Sequence, residues 1–168
     1  MSSVNFKEKL KDIKCFVFDV DGVLTNGMLH VTNDGMLLRA MNIKDGYALQ
    51  LAVKKGYRVV IISGGKDEGV VIRLKNLGIT DIYVGIGNKL QQLLAVMQEH
   101  HLTSAQLLYM GDDMPDVEAM KNCSIATCPY DAAPQIRDIC HYISPIKGGD
   151  GCARDVIEQV LTLNNDWE

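Results

Sequence analysis

Three short apolar runs restrict the fold of this chain more than any other feature. Cys15-Phe16-Val17-Phe18, Val59-Val60-Ile61-Ile62 and Leu107-Leu108-Tyr109-Met110 show no alternation between apolar and polar positions. A strand with one face in water alternates. A strand without alternation is buried on both faces, as in a parallel sheet covered by helices. Each run stops at polar or turn-forming residues: Asp19, then Ser63-Gly64-Gly65, then Gly111-Asp112-Asp113. Two shorter runs extend the series, Ile82-Tyr83-Val84 before Gly85-Ile86-Gly87, and Ser124-Ile125-Ala126.

Helical spacing fills the intervals. Residues 47–55 place Leu49 and Ala52-Val53 on one face, and residues 70–77 stop at Gly78, a C-cap residue. Residues 90–100 repeat the pattern through Leu90, Leu93-Leu94 and Met97, and 116–121 and 155–163 complete it. This β-α alternation predicts a doubly wound α/β sheet, expected as a single domain over residues 1–168. One interval is too long for a crossover helix alone, the 41 residues between Asp21 and Ser63. Within it Asp34-Gly35 separates two extended apolar runs, which predicts a projecting β-hairpin over 27–41. Its Met28, Leu29, Val31, Met36 and Leu38 need a covering surface, most simply another copy of the chain.

Composition narrows the class of partner. The net charge of −4 disfavours nucleic acid, whose phosphates demand clustered Lys and Arg. No apolar run approaches the ~20 residues of a membrane span. Residues 1–14 lack an apolar core of the signal-peptide kind, so a cytoplasmic location is expected. The five cysteines form no Cys-x-x-Cys pair, which suits reduced thiols rather than zinc ligands.

The densest chemistry lies in Asp19-Val20-Asp21-Gly22-Val23-Leu24-Thr25. Two carboxylates two residues apart at a strand end are expected to point the same way. They repel unless a proton or cation intervenes, and oxygen donors favour Mg²⁺. Asp112-Asp113, with Asp116 in support, follows another strand end, so Asp112 can share a metal with Asp19. Ser63 and Lys89 fall at two further strand ends. This inventory suits a phosphoryl group held for in-line attack. Asp19 is the expected nucleophile. Asp21 is the expected acid and then base, with a pKa raised above about 3.9 by its carboxylate neighbour. Ser63 and the amides of Gly64 and Gly65 are expected to hold phosphoryl oxygens, with Lys89 and Mg²⁺ offsetting their charge.

The order Asp-x-Asp-Gly-Val-Leu-Thr, Ser-Gly, Lys, Gly-Asp-Asp over residues 14–130 resembles the haloacid-dehalogenase superfamily of phosphohydrolases. The resemblance implies a Rossmann-like fold and Mg²⁺ bound by the side chains of Asp19 and Asp112 and the carbonyl of Asp21. The intervals of 41 and 25 residues between motifs leave no room for a cap domain. More narrowly, Asp19–Gly27, Asn42–Tyr47, Arg73–Gly78 and Gly148–Arg154 resemble the 3-deoxy-D-manno-octulosonate 8-phosphate phosphatase branch. That implies a phosphorylated sugar-acid substrate on the route to lipopolysaccharide. It also implies a homotetramer built through the hairpin and a glycine-rich tail at 148–151 that reaches an adjacent site. The loop Asn42-Ile43-Lys44-Asp45-Gly46, with Gln50, Arg73 and Lys89, matches substrate positions, and Asp21, Gly64 and Gly65 adjoin the phosphoryl group. Many members have Arg where this chain has Gly65. Related nonulosonate 9-phosphate phosphatases carry Glu there and Lys at the position of Asn76, neither of which is present.

Other readings fit less well. A calcium loop starting at Asp19 needs Glu where His30 stands. A dinucleotide fingerprint after Gly85 needs Gly where Leu90 stands. A phospho-accepting receiver domain carries its acceptor on a later strand than its acid pair.

Overall fold

A computed structural model describes residues 6–167. In chain order the elements are α1 (Phe6–Lys9), β1 (Cys15–Phe18), β2 (His30–Val31), β3 (Leu37–Leu38), α2 (Ile43–Lys54), β4 (Arg58–Ile62), α3 (Glu68–Asn76) and β5 (Asp81–Tyr83). They continue with α4 (Lys89–Glu99), β6 (Leu107–Met110), α5 (Val117–Met120), β7 (Ile125–Cys128), α6 (Pro134–Ile139), β8 (Tyr142–Ile143) and α7 (Cys152–Leu163). Six strands form one parallel sheet in the order β5-β4-β1-β6-β7-β8. The chain builds outward from β1 in one direction and then in the other, the doubly wound topology expected. No helix among the described residues is long and apolar enough to cross a membrane.

The unbroken apolar runs are explained by the two layers they face. Phe16, Phe18, Val59, Ile61, Leu108 and Met110 pack beneath α2, α3 and α7. Cys15, Val17, Val60, Ile62, Leu107 and Tyr109 pack beneath α4, α5 and α6. Every residue of β1 and β6 is buried. Each large apolar side chain so placed contributes roughly 1.5–3 kcal/mol.

Several boundaries differ from expectation. Helix α2 starts at Ile43 rather than 47, because the Asn42 side chain accepts a hydrogen bond from the Lys44 amide at 2.8 Å and caps it. The expected loop 42–46 is therefore the first turn of a helix. The expected helix 116–121 is a 3₁₀ turn at Met114–Asp116 followed by α5. Strand β8 and helices α1 and α6 were not expected; α6 opens on Pro134, which suits a first helical turn. The hairpin ladder is shorter than residues 28–31 and 36–39, with only His30↔Leu38 and Val31↔Leu37 paired. Its turn is closed by Gly35 N–H donating to the Thr32 carbonyl at 2.9 Å, with Gly35 at φ +84°.

The glycine-rich tail packs on its own chain. The Gly149 amide donates to the Val23 carbonyl at 2.9 Å, and Asn42 Nδ2 donates to the Gly149 carbonyl at 3.2 Å. A Cβ at Gly148 would stand 1.9 Å from the Gly22 carbonyl oxygen. Gly148→Ala is therefore expected to lower stability by roughly 2–3 kcal/mol, or about 5–10 °C in Tm. Gly87→Ala, which meets nothing within 4 Å, is expected to stay within about 1 kcal/mol of wild type. Thermal unfolding of both variants checks the docking.

Candidate active site

The chain's reactive groups collect at the carboxyl ends of β1, β4 and β6, where the sheet order changes direction, the usual ligand crevice of an open α/β sheet. Asp19 follows β1. Its Oδ1 accepts from the Val20 amide at 2.7 Å, and its Oδ2 meets Lys89 Nζ at 2.7 Å. Lys89 opens α4 and is buried, and its ammonium also meets Asp116 Oδ1 at 2.7 Å. Asp116 is fully enclosed. Its Oδ1 also accepts from the Tyr109 hydroxyl at 2.8 Å, and its Oδ2 accepts from the Asp112 amide at 3.2 Å.

Three carboxylates therefore crowd one ammonium. Oxygens of Asp19, Asp112 and Asp116 lie within 4.8 Å of one another. Burial pushes the Asp19 carboxyl up to about 6; Asp116 adds to the rise and Lys89 opposes it. Burial, then the charges of Asp19 and Asp116, push Asp112 up to about 7. Burial pulls Lys89 down, but Asp116 and Asp19 outweigh it and hold the ammonium above its usual value. The excess negative charge and the hard oxygen donors fit a divalent cation of the Mg²⁺ type. Asp19 and Asp112 are less enclosed than Asp116 and could supply ligands; Asp116 is fully buried, with both oxygens held by protein donors. Gly22 makes the approach possible. It lies at φ +86°, and a Cβ there would fall 1.9 Å from Asp112 Oδ2.

A second group lies beside the first. Asp21 lies beyond the end of the strand. The chain leaves the strand at Asp19 and turns at Asp21-Gly22, so the period of two ends with β1. The Asp21 carboxylate is held by Arg39, Nε to Oδ1 at 2.7 Å and Nη2 to Oδ2 at 3.0 Å. The carboxylate neighbour expected beside Asp21 is thus replaced by a guanidinium. Ser63 is buried, and its Oγ accepts from the Gly65 amide at 3.3 Å. Asp21 Oδ2 and Ser63 Oγ stand 3.3 and 3.7 Å from the point a Cβ on Gly65 would occupy. Gly64 is exposed beside them. Buried Thr25 ties the loop together, accepting from the Gly22 and Gly27 amides at 3.3 and 3.2 Å.

The remaining expected residues separate. Asp113 is exposed and caps the turn after β6 by accepting from the Met114 amide. Asp45 is buried with Oδ1 accepting from the Arg154 amide at 2.8 Å, so it joins α2 to α7 instead of facing solvent. Gly46 is buried beneath Arg73, whose Nη2 lies 2.6 Å from the point a Cβ there would take. Ile43 and Lys44 are exposed and Gln50 is half-buried. Arg73 lines a groove of about 770 Å³ between the hairpin and α3, together with Lys66 and Arg39. Arg39, Asp67 and Tyr109 were not anticipated. A tyrosine inside an otherwise apolar buried run does signal a polar partner for its hydroxyl. No spacing rule pairs Arg39 with Asp21.

The chain is 33% identical over 159 residues to the 3-deoxy-D-manno-octulosonate 8-phosphate phosphatase of Escherichia coli, covering 95% of this chain and 85% of that protein. It belongs to that phosphatase family. No family model matches it. The crystal structure of the Yersinia pestis phosphatase of the same name aligns with a TM-score of 0.95 at 29% identity, covering 98% of this chain and 89% of that one. The Moraxella catarrhalis phosphatase, solved in complex with a magnesium ion, a phosphate ion and a KDO molecule, aligns at 0.92 with 32% identity, covering 96% and 92%. These neighbours have the fold of haloacid-dehalogenase hydrolases, as the motif order implied.

The charge excess generates a pH test. A carboxyl whose folded pKa is raised holds its proton longer in the native state. Between the free value and the raised value the native state binds more protons, so its stability falls as pH rises. A cation bound by the ionised oxygens reverses that loss. Mg²⁺ is expected to raise Tm by roughly 3–8 °C at pH 8 and by little at pH 5. Asp112→Asn is expected to abolish most of the increment. Thermal scans with and without the metal measure both.

Proposed function

We propose that this chain is a Mg²⁺-dependent phosphatase that releases inorganic phosphate from 3-deoxy-D-manno-octulosonate 8-phosphate through an aspartyl-phosphate on Asp19. The observation that carries the reading is the placement of Asp19 against Lys89 and Asp112 at the end of β1, in a chain of this family. Asp19, Asp112 and the Asp21 carbonyl would hold Mg²⁺, which when bound would supply charge neutralisation for the phosphoryl group.

The chain's own residues perform the rest. Asp19 Oδ attacks phosphorus, and the bond from phosphorus to the sugar oxygen breaks. Asp21 passes its proton to that departing oxygen. The Asp21 carboxylate then takes a proton from water, which attacks phosphorus and frees both phosphate and Asp19. Ser63 and the amides of Gly64 and Gly65 donate to phosphoryl oxygens. The Gly65 amide's present bond to Ser63 Oγ, at 3.3 Å, is long enough to yield to a charged acceptor. Lys89 offsets the charge that develops, and Asp116 and Tyr109 hold it in place.

The sugar acid occupies the groove between the hairpin and α3. Arg73 there presents a planar fork suited to a carboxylate. The hairpin exposes Met28, Val31, Met36 and Leu38, each at least half accessible. Such a surface supports assembly into the homotetramer implied by resemblance. Five unpaired cysteines support a cytoplasmic location.

Phosphate release across a panel of phosphorylated sugar acids tests the substrate. The eight-carbon 8-phosphate is expected to lead in kcat/KM, and preference for a nine-carbon 9-phosphate would overturn the assignment. Asp19→Asn is expected to lower kcat by about 10³-fold or more at unchanged Tm. Arg73→Ala is expected to raise KM by about tenfold with a smaller change in kcat.

A further inference from the structure

Arg39 sits one residue past β3, in a segment whose neighbours are exposed, yet its side chain is only 6% accessible. Two of its nitrogens fork onto the two oxygens of Asp21, and Nη1 bonds Asp67 Oδ2 at 2.7 Å. Asp67 is itself fixed, since its Oδ1 caps α3 by accepting from the Val70 amide at 3.0 Å. The guanidinium therefore joins the hairpin, the start of α3 and the turn that carries Asp21. Glycine at residue 65 leaves the space the guanidinium occupies uncrowded. A Cβ there would lie 3.3 Å from both Arg39 Nη2 and Asp21 Oδ2, and a longer side chain would compete for the same volume.

We propose that Arg39 is a positioning residue that fixes the Asp21 carboxylate for proton transfer, with Gly65 as the clearance that admits it. The proposal rests on the phosphatase reading of Asp21. Asp21 stands in a turn with a side chain 37% accessible, so without the fork it has several rotamers available. Misplacement of a reacting group by about 1 Å can cost about 10²-fold in rate. A guanidinium engages both carboxylate oxygens at once, which fixes the plane of the group as well as its position; an ammonium meets one point. Direct substrate binding by Arg39 fits the geometry less well, because three of its nitrogens already point at protein carboxylates. The hairpin is by this account a working part of the site as well as an assembly surface.

A double-mutant cycle on the Mg²⁺-loaded full chain tests this, with Tm recorded for every variant. Arg39→Ala is expected to lower kcat by about tenfold or more with KM within twofold. In an Asp21→Asn background the same change is expected to alter the single-turnover rate by less than about twofold, because its effect passes through Asp21. Arg39→Lys, which keeps the stem and charge, is expected to fall between wild type and Arg39→Ala. It carries the same cycle if the alanine variant does not fold. Full kcat in both Arg39 variants would overturn the proposal. So would a rise in KM at constant kcat, which marks a substrate contact. Equal losses in both Asp21 backgrounds would mark a role independent of Asp21 and would also overturn it. A wild type inactive on every phosphomonoester would fail the parent reading itself, a result distinguishable from all of these.

Discussion

The buried Lys89 ammonium holds together groups that would otherwise repel. It lies 2.7 Å from both Asp19 and Asp116, and it ties the start of α4 to the end of β1 and to the turn after β6. Removing the lone ammonium from such a buried set leaves uncompensated carboxylates at a cost of about 3–5 kcal/mol. Desolvation makes the site expensive and also useful. The burial that pushes Asp19 and Asp112 upward goes with an excess of negative charge that a divalent cation would offset. Tyr109 and the Asp112 amide hold the Asp116 carboxylate where it meets Lys89.

Around this centre, absent side chains matter as much as present ones. Gly22 admits the Asp112 carboxylate, Gly148 admits the Gly22 carbonyl, and Gly65 leaves room for the Arg39–Asp21 pair. The turn after β1 is thereby clamped between the metal-side acids and the tail that precedes α7. Thr25 locks it from within. The motif Asp-x-Asp-Gly-Val-Leu-Thr is thus a self-bonded turn as well as a set of reactive groups.

Much of this was legible before any coordinates. The buried strands announced themselves by their lack of alternation, and their ends by Asp19, Ser63 and Asp112, because polar groups cannot continue inside a covered sheet. What failed was chiefly non-local or too short to carry a pattern. Strand β8 has two residues and no apolar run. The first turn of α2 was hidden by Lys44, Asp45 and Gly46, although Asn42 is a cap residue. Nothing adjacent to Asp45 in the chain reveals that it meets the amide of Arg154. Asp21 was expected to answer to Asp19, two residues away. It answers instead to Arg39, 18 residues on, through a hairpin whose docking no periodicity encodes.

The central claim is that the Asp19 carboxylate itself attacks phosphorus. The stereochemical course at phosphorus tests this most directly, with a phosphorothioate ester of the sugar acid made chiral by oxygen isotopes and hydrolysed in isotopic water. Two successive displacements, first by Asp19 and then by water, predict net retention. Net inversion would mean that water attacks the substrate directly and would contradict the account.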